Sequence, residues 1–124
     1  MSMSDYFGNN IINHMLRNQA FTPPTTVYLS LHTSDPGITG ASEVTGGSYA
    51  RQAVELNAAA SKATSNTNIE DFVGMPAVTV THGGIWDTAS AGNFFIGGAL
   101  TASKVVNSGD TFRFPVSDVD YTLS

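Results

Sequence analysis

The feature that most constrains this chain is a change of hydrophobic period at Pro23-Pro24. Before it, Phe7, Ile11 and Met15 recur every fourth residue, with Ile12 and Leu16 beside them. That spacing predicts a helix over about Ser4 to Gln19 with one apolar stripe. Ser4 suits the N-cap, and Asp5 suits the first turn, where the helix dipole favours an anion. The prolines then force the chain out of helical geometry. Beyond them the period is two: Val27, Leu29 and Leu31 alternate with Tyr28, Ser30 and His32, the pattern of a strand with one buried face.

Short strands and turns account for the rest. Ser34-Asp35-Pro36-Gly37 is a turn, and the Gly, Ser and Thr content through Gly47 implies a long loop. A strand is expected from about Ser48 to Leu56, with Ala50, Gln52, Val54 and Leu56 on one face and Tyr49, Arg51, Ala53 and Glu55 on the other. Ala58 to Asn68 reads as a weak strand or a loop, followed by an apolar anchor at Ile69, Phe72 and Val73. Pro76 opens a strand through Thr81, and Gly83-Gly84 marks a bulge or a close backbone approach before Ile85 and Trp86. A hairpin turn over Asp87 to Gly92 leads into an aromatic strand from Asn93 to Leu100. Asn107-Ser108-Gly109-Asp110 is a further turn, followed by a strand over Phe112 to Val116 and a last short one at about Val119 to Leu123. One helix ahead of many short strands predicts a mainly β fold: an antiparallel β-sandwich or barrel, jelly-roll-like, with one N-terminal α-helix. Residues 1–124 are expected to form a single domain, the helix over about 4–19 and the sandwich over 26–124.

Composition narrows the function. At 124 residues the chain can bury a core without staples, and it has no cysteine, which removes thiol catalysis, iron–sulfur clusters and disulfides. The formal net charge is −5, and Arg17, Arg51, Lys62, Lys104 and Arg113 are scattered along the chain. Phosphate neutralisation needs clustered cations, so nucleic acid is not an expected partner. No window approaches the roughly 18 apolar residues of a membrane span, and the N-terminus lacks the pattern of a signal peptide. Charged residues make up only 12%, against roughly 25% in ordinary soluble domains. Such a surface suits a protein covered by neighbours.

No constellation for catalysis emerges. Of the three histidines, His14 falls on the helix, while His32 and His82 fall on two strands that could neighbour one another, with no acidic companion at a telling spacing. Gly-x-Ser-x-Gly is absent, as are the glycine-rich phosphate loops. Glu70-Asp71 would diverge across a strand, and Asp118-x-Asp120 reads as a charged strand edge. Trp86 and the phenylalanines would serve a sugar-stacking platform only if exposed, and core is their usual place. The expectation is no catalytic residue, no cofactor and no metal. Phe7, Ile11 and Met15 are the candidate partner interface, although the same stripe reads more readily as simply covering the sandwich core. Arg51 is expected to emerge near the long loop and pair with Asp35 or Glu43 as an exposed ion pair, worth at most about 1 kcal/mol.

The loop residues also carry a family likeness. The run from Val27 to Gly37, the run from Gly40 to Gln52, Ser65-Asn66-Thr67, Val80-Thr81-His82-Gly83-Gly84-Ile85-Trp86-Asp87, Gly98 to Lys104 and Gly109-Asp110-Thr111 together resemble a group of small tailed-bacteriophage virion proteins. The likeness spans most of the chain. Members are variously described as head-decoration (cement), minor tail or tail-fibre proteins. The resemblance implies a non-enzymatic virion structural protein, assembled in the host bacterial cytoplasm, whose partners are other copies of itself and virion proteins such as the major capsid protein or tail proteins. A capsid decoration protein on the outside of the particle is the leading expectation. A tail or tail-fibre component contributing to host attachment, or a carbohydrate-binding module, is the alternative.

Overall fold

The computed structural model describes residues 2–123. In chain order the elements are β1 (Ser2–Met3), α1 (Asp5–Leu16), β2 (Val27–His32), β3 (Gln52–Val54), β4 (Ala63–Ser65), β5 (Glu70–Phe72), β6 (Val78–Trp86), β7 (Phe94–Val106), β8 (Phe112–Phe114) and β9 (Asp120–Thr122). The protein is mainly β, its sheets are antiparallel, one helix lies near the N-terminus, and no barrel closes. A five-stranded sheet in the order β1-β7-β6-β2-β3 is joined by two ribbons, β4-β9 and β5-β8. Sheet residues Leu29, Leu31, Val80, Ile85 and Ile96 share one core with the ribbon residues Phe72, Phe112 and Phe114. Fully burying one such side chain stabilises the fold by roughly 1.5–3 kcal/mol.

The helix starts where its cap dictates, the Ser4 hydroxyl accepting the Phe7 amide at 3.0 Å. It ends at Leu16, one turn short of the expected Gln19, and Asn18 takes a positive φ of 56°. The strand at Val27–His32 appears as the alternation predicts, but its second face is not wet. Ser30 and His32 are as buried as Leu29 and Leu31, because the loop after the strand folds back over them: Thr33 and Val44 amides bond to Ser42 and Leu31 carbonyls. The strand expected over Ser48 to Leu56 shrinks to Gln52–Val54, since Tyr49 and Arg51 leave the ladder to bond elsewhere.

The longest hairpin, β6 with β7, corrects the expected bulge. Gly83 pairs with Gly98 and Gly84 with Gly97 in register, while the shifts fall on either side. One lies at Phe95, between the pairs Ile85↔Ile96 and Trp86↔Phe94. In the other, Thr81 alone faces the run Leu100 to Ser103, between Val80↔Lys104 and His82↔Ala99. The close-approach half of the expectation holds at Gly84, where an added Cβ would lie 2.8 Å from the Phe94 ring and 2.9 Å from the Ser30 hydroxyl.

Candidate functional site

The most individual stretch of the sequence builds a polar network on the second face of β2. Arg51 grips Glu43 with both arms of its fork: Nε donates to Oε2 and Nη2 to Oε1, each at 2.9 Å. Its Nη1 donates to the Thr88 and Ala91 carbonyls at 2.9 and 2.8 Å, tying the long loop to the β6-β7 turn. Tyr49 donates its hydroxyl to Glu43 at 2.8 Å and accepts the Leu31 amide at 3.0 Å. The pair forms with Glu43, as one of the two expected options, and Asp35 takes a separate role: its carboxylate accepts the Gly37 amide, closing the turn around Pro36. The expected exposure does not hold, for the Arg51 side chain is only 7% exposed and that of Glu43 20%. Burial works against the Glu43 carboxylate, but the Arg51 and Tyr49 hydrogen bonds outweigh it and hold its pKa below the usual range.

Deeper in, the Trp86 indole donates to the Ser30 hydroxyl at 2.9 Å, and Ser30 sits 2.7 Å from His32 Nε2. His32 Nδ1 lies 2.7 Å from the Ala41 carbonyl, which can only accept, so Nδ1 carries the proton and Ser30 donates to Nε2. Burial lowers the His32 pKa, with Arg51 and His82 acting the same way against the Ala41 bond and Glu43. His32 and His82 are indeed cross-strand partners. A serine hydroxyl bonded to an imidazole is the first step of a nucleophile–base pair. Here Ser30 and His32 are both 0% exposed and Ser30 already accepts the indole, so the contact holds the strand face together and offers a substrate no approach.

The remaining sequence candidates separate. Phe7 stacks on Phe95, ring centres 5.0 Å apart, and so belongs to the packing of helix on sheet. Ile11 is half-buried, and Met15 is 71% exposed. Ile12 and Leu16 are 51% and 80% exposed, so the exposed aliphatic side chains of the helix are Ile12, Met15 and Leu16, rotated from the expected stripe. Spacings of three and four from Ile12 carried that signal in the sequence. His14 is exposed and bonds to the Gln19 carbonyl at the helix end. Asp71 pairs with Arg113 across β5-β8, and Glu70 turns inward. Among the described residues no His, Asp and Glu group could hold a metal ion. Trp86, Phe94, Phe95, Phe112 and Phe114 are all buried, so they form no stacking platform. Among the described residues no helix is long and apolar enough to cross a membrane.

Residues 2–122 match the family model described as podophage GP4 fiber I protein gp80. The chain belongs to that family. It is therefore a bacteriophage structural protein and a virion component. Membership of a fibre family lends nothing to the capsid-cement expectation and speaks for the tail-fibre alternative. Among the curated proteins none matches the chain.

Proposed function

We propose that the protein is a non-enzymatic subunit of the phage tail fibre, held in the virion by contacts with copies of itself and with neighbouring tail proteins. The observation that carries this reading is the match of residues 2–122 to a fibre-protein family. The side chains agree with it. The polar network spends its histidine, serine and carboxylate on bonds between loop and sheet, the use expected of a rigid building block. The free apolar turn of Ile12, Met15 and Leu16 supplies a contact that a neighbouring subunit would cover. Charged residues are only 12% of the chain, in keeping with a surface largely occupied in an assembly.

Cryo-electron microscopy of the intact particle tests the proposal. Density for this chain along or at the base of the tail fibres is the expected result. Density repeated over the icosahedral shell would restore the cement reading and overturn this one.

A further inference from the structure

A cleft of about 240 Å³ opens between the irregular half of β7 and the C-terminal segment that leads into β9. It stands apart from the polar network and from the helix patch. One wall is Leu100 to Ala102, part of the run that faces the single residue Thr81, a break in the ladder of the kind that re-aims side chains. The other wall is Asp118 to Tyr121, with Leu29 and Phe114 beneath.

Two glycines of the floor are informative. Gly83 and Gly98 pair across β6 and β7 and both line the cleft. Neither is required by packing. A Cβ on Gly98 would meet only a Tyr121 ring carbon at 4.0 Å, and one on Gly83 would be in ordinary contact at 3.5 Å or more, with neither residue at positive φ. Their neighbours Gly84 and Gly97 differ: a Cβ there would come within 2.8 and 2.5 Å of Phe94 and Pro36. Glycine inside a strand costs roughly 0.5–1 kcal/mol relative to alanine. At Gly83 and Gly98 what that cost yields is open floor.

The rim forms few bonds of its own, the Lys104 ammonium lying 5.5 Å from the centre of the Phe112 ring. Thr101, Lys104, Asp118, Asp120 and Tyr121 line the cleft, and no polar side-chain atom of theirs has a hydrogen-bond partner among the described residues. Burial pushes the Tyr121 phenol up, with Asp120 adding to it, so the hydroxyl remains a donor. Arg113, also in the lining, is engaged by Asp71. With Arg113 met by Asp71, Lys104 stands against Asp118 and Asp120, and the one negative charge left over disfavours an anion. Donors and acceptors around an apolar floor match a ring bearing several hydroxyls. A volume under the roughly 300–1,000 Å³ of drug-sized sites limits the occupant to one ring.

We infer that this cleft binds a single neutral sugar ring, either as a free monosaccharide or as the terminal unit of a polysaccharide. The site is argued from its own side chains and does not depend on where the chain sits in the virion.

Amide NMR of the isolated full chain tests it. D-glucose, D-galactose and N-acetyl-D-glucosamine are titrated singly, then as terminal units of short oligosaccharides, with inorganic phosphate and arginine as charged comparators. The expected result is saturable shifts confined to Gly83, Gly98 to Thr101 and Asp118 to Tyr121 with at least one sugar. Tyr121→Phe should weaken that binding about three- to tenfold, the loss of one hydrogen bond. Gly98→Val should abolish it by filling the floor, and Tyr121→Phe carries the test alone if Gly98→Val fails to fold. Oligosaccharide binding identifies a polysaccharide terminus as the source, and binding of the monosaccharide alone identifies free sugar. No saturation with any sugar, shifts mapping elsewhere, preference for phosphate or arginine, or indifference to Tyr121→Phe would overturn the inference. A failure here leaves the tail location standing, and a shell location would leave the cleft standing.

Discussion

The Arg51 guanidinium lies over the Trp86 indole, its carbon 3.7 Å from the ring centre, while its nitrogens bond to Glu43 and to two carbonyls of the β6-β7 turn. One cation thus closes three separate segments over the central strand. Lysine cannot reproduce the fork or the stacking. Arg51→Lys leaves the Glu43 carboxylate half-satisfied and part-buried, and is expected to cost about 3 kcal/mol, as for a broken buried pair. Urea unfolding measures it, and a loss below about 1 kcal/mol would place the pair among ordinary surface bridges.

Gly40 packs against the same indole. Its φ is +76°, and an added Cβ would sit 2.5 Å from the Trp86 ring. Gly40→Ala combines backbone strain with overpacking and is expected to destabilise by about 2–3 kcal/mol. Near-ultraviolet circular dichroism should also show the Trp86 band weaken, since the ring must move.

Acid should loosen the network in two stages. The His32 pKa is depressed by burial from 6.5, so the unfolded chain binds its proton first as pH falls. Stability contributed by neutral His32 is therefore complete above about pH 6.5 and declines below it. The depressed Glu43 carboxylate adds a second decline below its ordinary value of 4.5. Unfolding free energies measured from pH 7.5 downward, in steps of about one unit, should show both slopes. In His32→Asn, whose amide can still donate to Ala41, the first slope should vanish.

Phe7 and the Ile12, Met15, Leu16 turn should separate folding from assembly. Phe7→Ala removes the stack on Phe95 and is expected to cost the isolated protein about 2 kcal/mol, less than a fully buried phenylalanine. Serine at Ile12, Met15 and Leu16 together should change its stability by no more than about 0.5 kcal/mol per site, because all three are exposed. The same triple variant should be depleted from purified virions in quantitative mass spectrometry. Normal incorporation would remove the helix turn from the assembly contacts.

How far the sequence could be read follows from the range of each interaction. The helix, the turns at Pro36 and Asn107, and the strand at Val27 were legible because period and turn chemistry act over a few residues. Alternation sets Ser30 and His32 opposite the one buried face it predicts, since it reports only that the faces differ, and nothing local shows that a loop returns to cover the second one. Arg51 could be paired with Glu43 from eight residues away, but its Thr88 and Ala91 partners lie 37 and 40 residues off. The aromatic strand expected to end at Leu100 runs on to Val106, an extension hidden because Thr101, Ala102 and Ser103 are small or polar and show no alternation. The cleft was invisible as well, since its two walls meet only in the folded chain. The apolar stripe was found, yet its division into a covered Phe7 and an open Met15 depends on where the sheet ends beneath the helix.

The break in β7 also bears on the life of the subunit before it reaches a particle. Beyond Gly97, where β1 stops, the outer side of β7 carries no neighbouring strand among the described residues, and Lys104 is its one charge. A straight edge of that composition would template growth by any matching strand, including the same strand of a newly made sister chain. Where Leu100 to Ser103 leave the ladder, the amides and carbonyls fall out of step with any regular partner. The irregularity thus works against edge-to-edge pairing of this strand with the same strand of another copy.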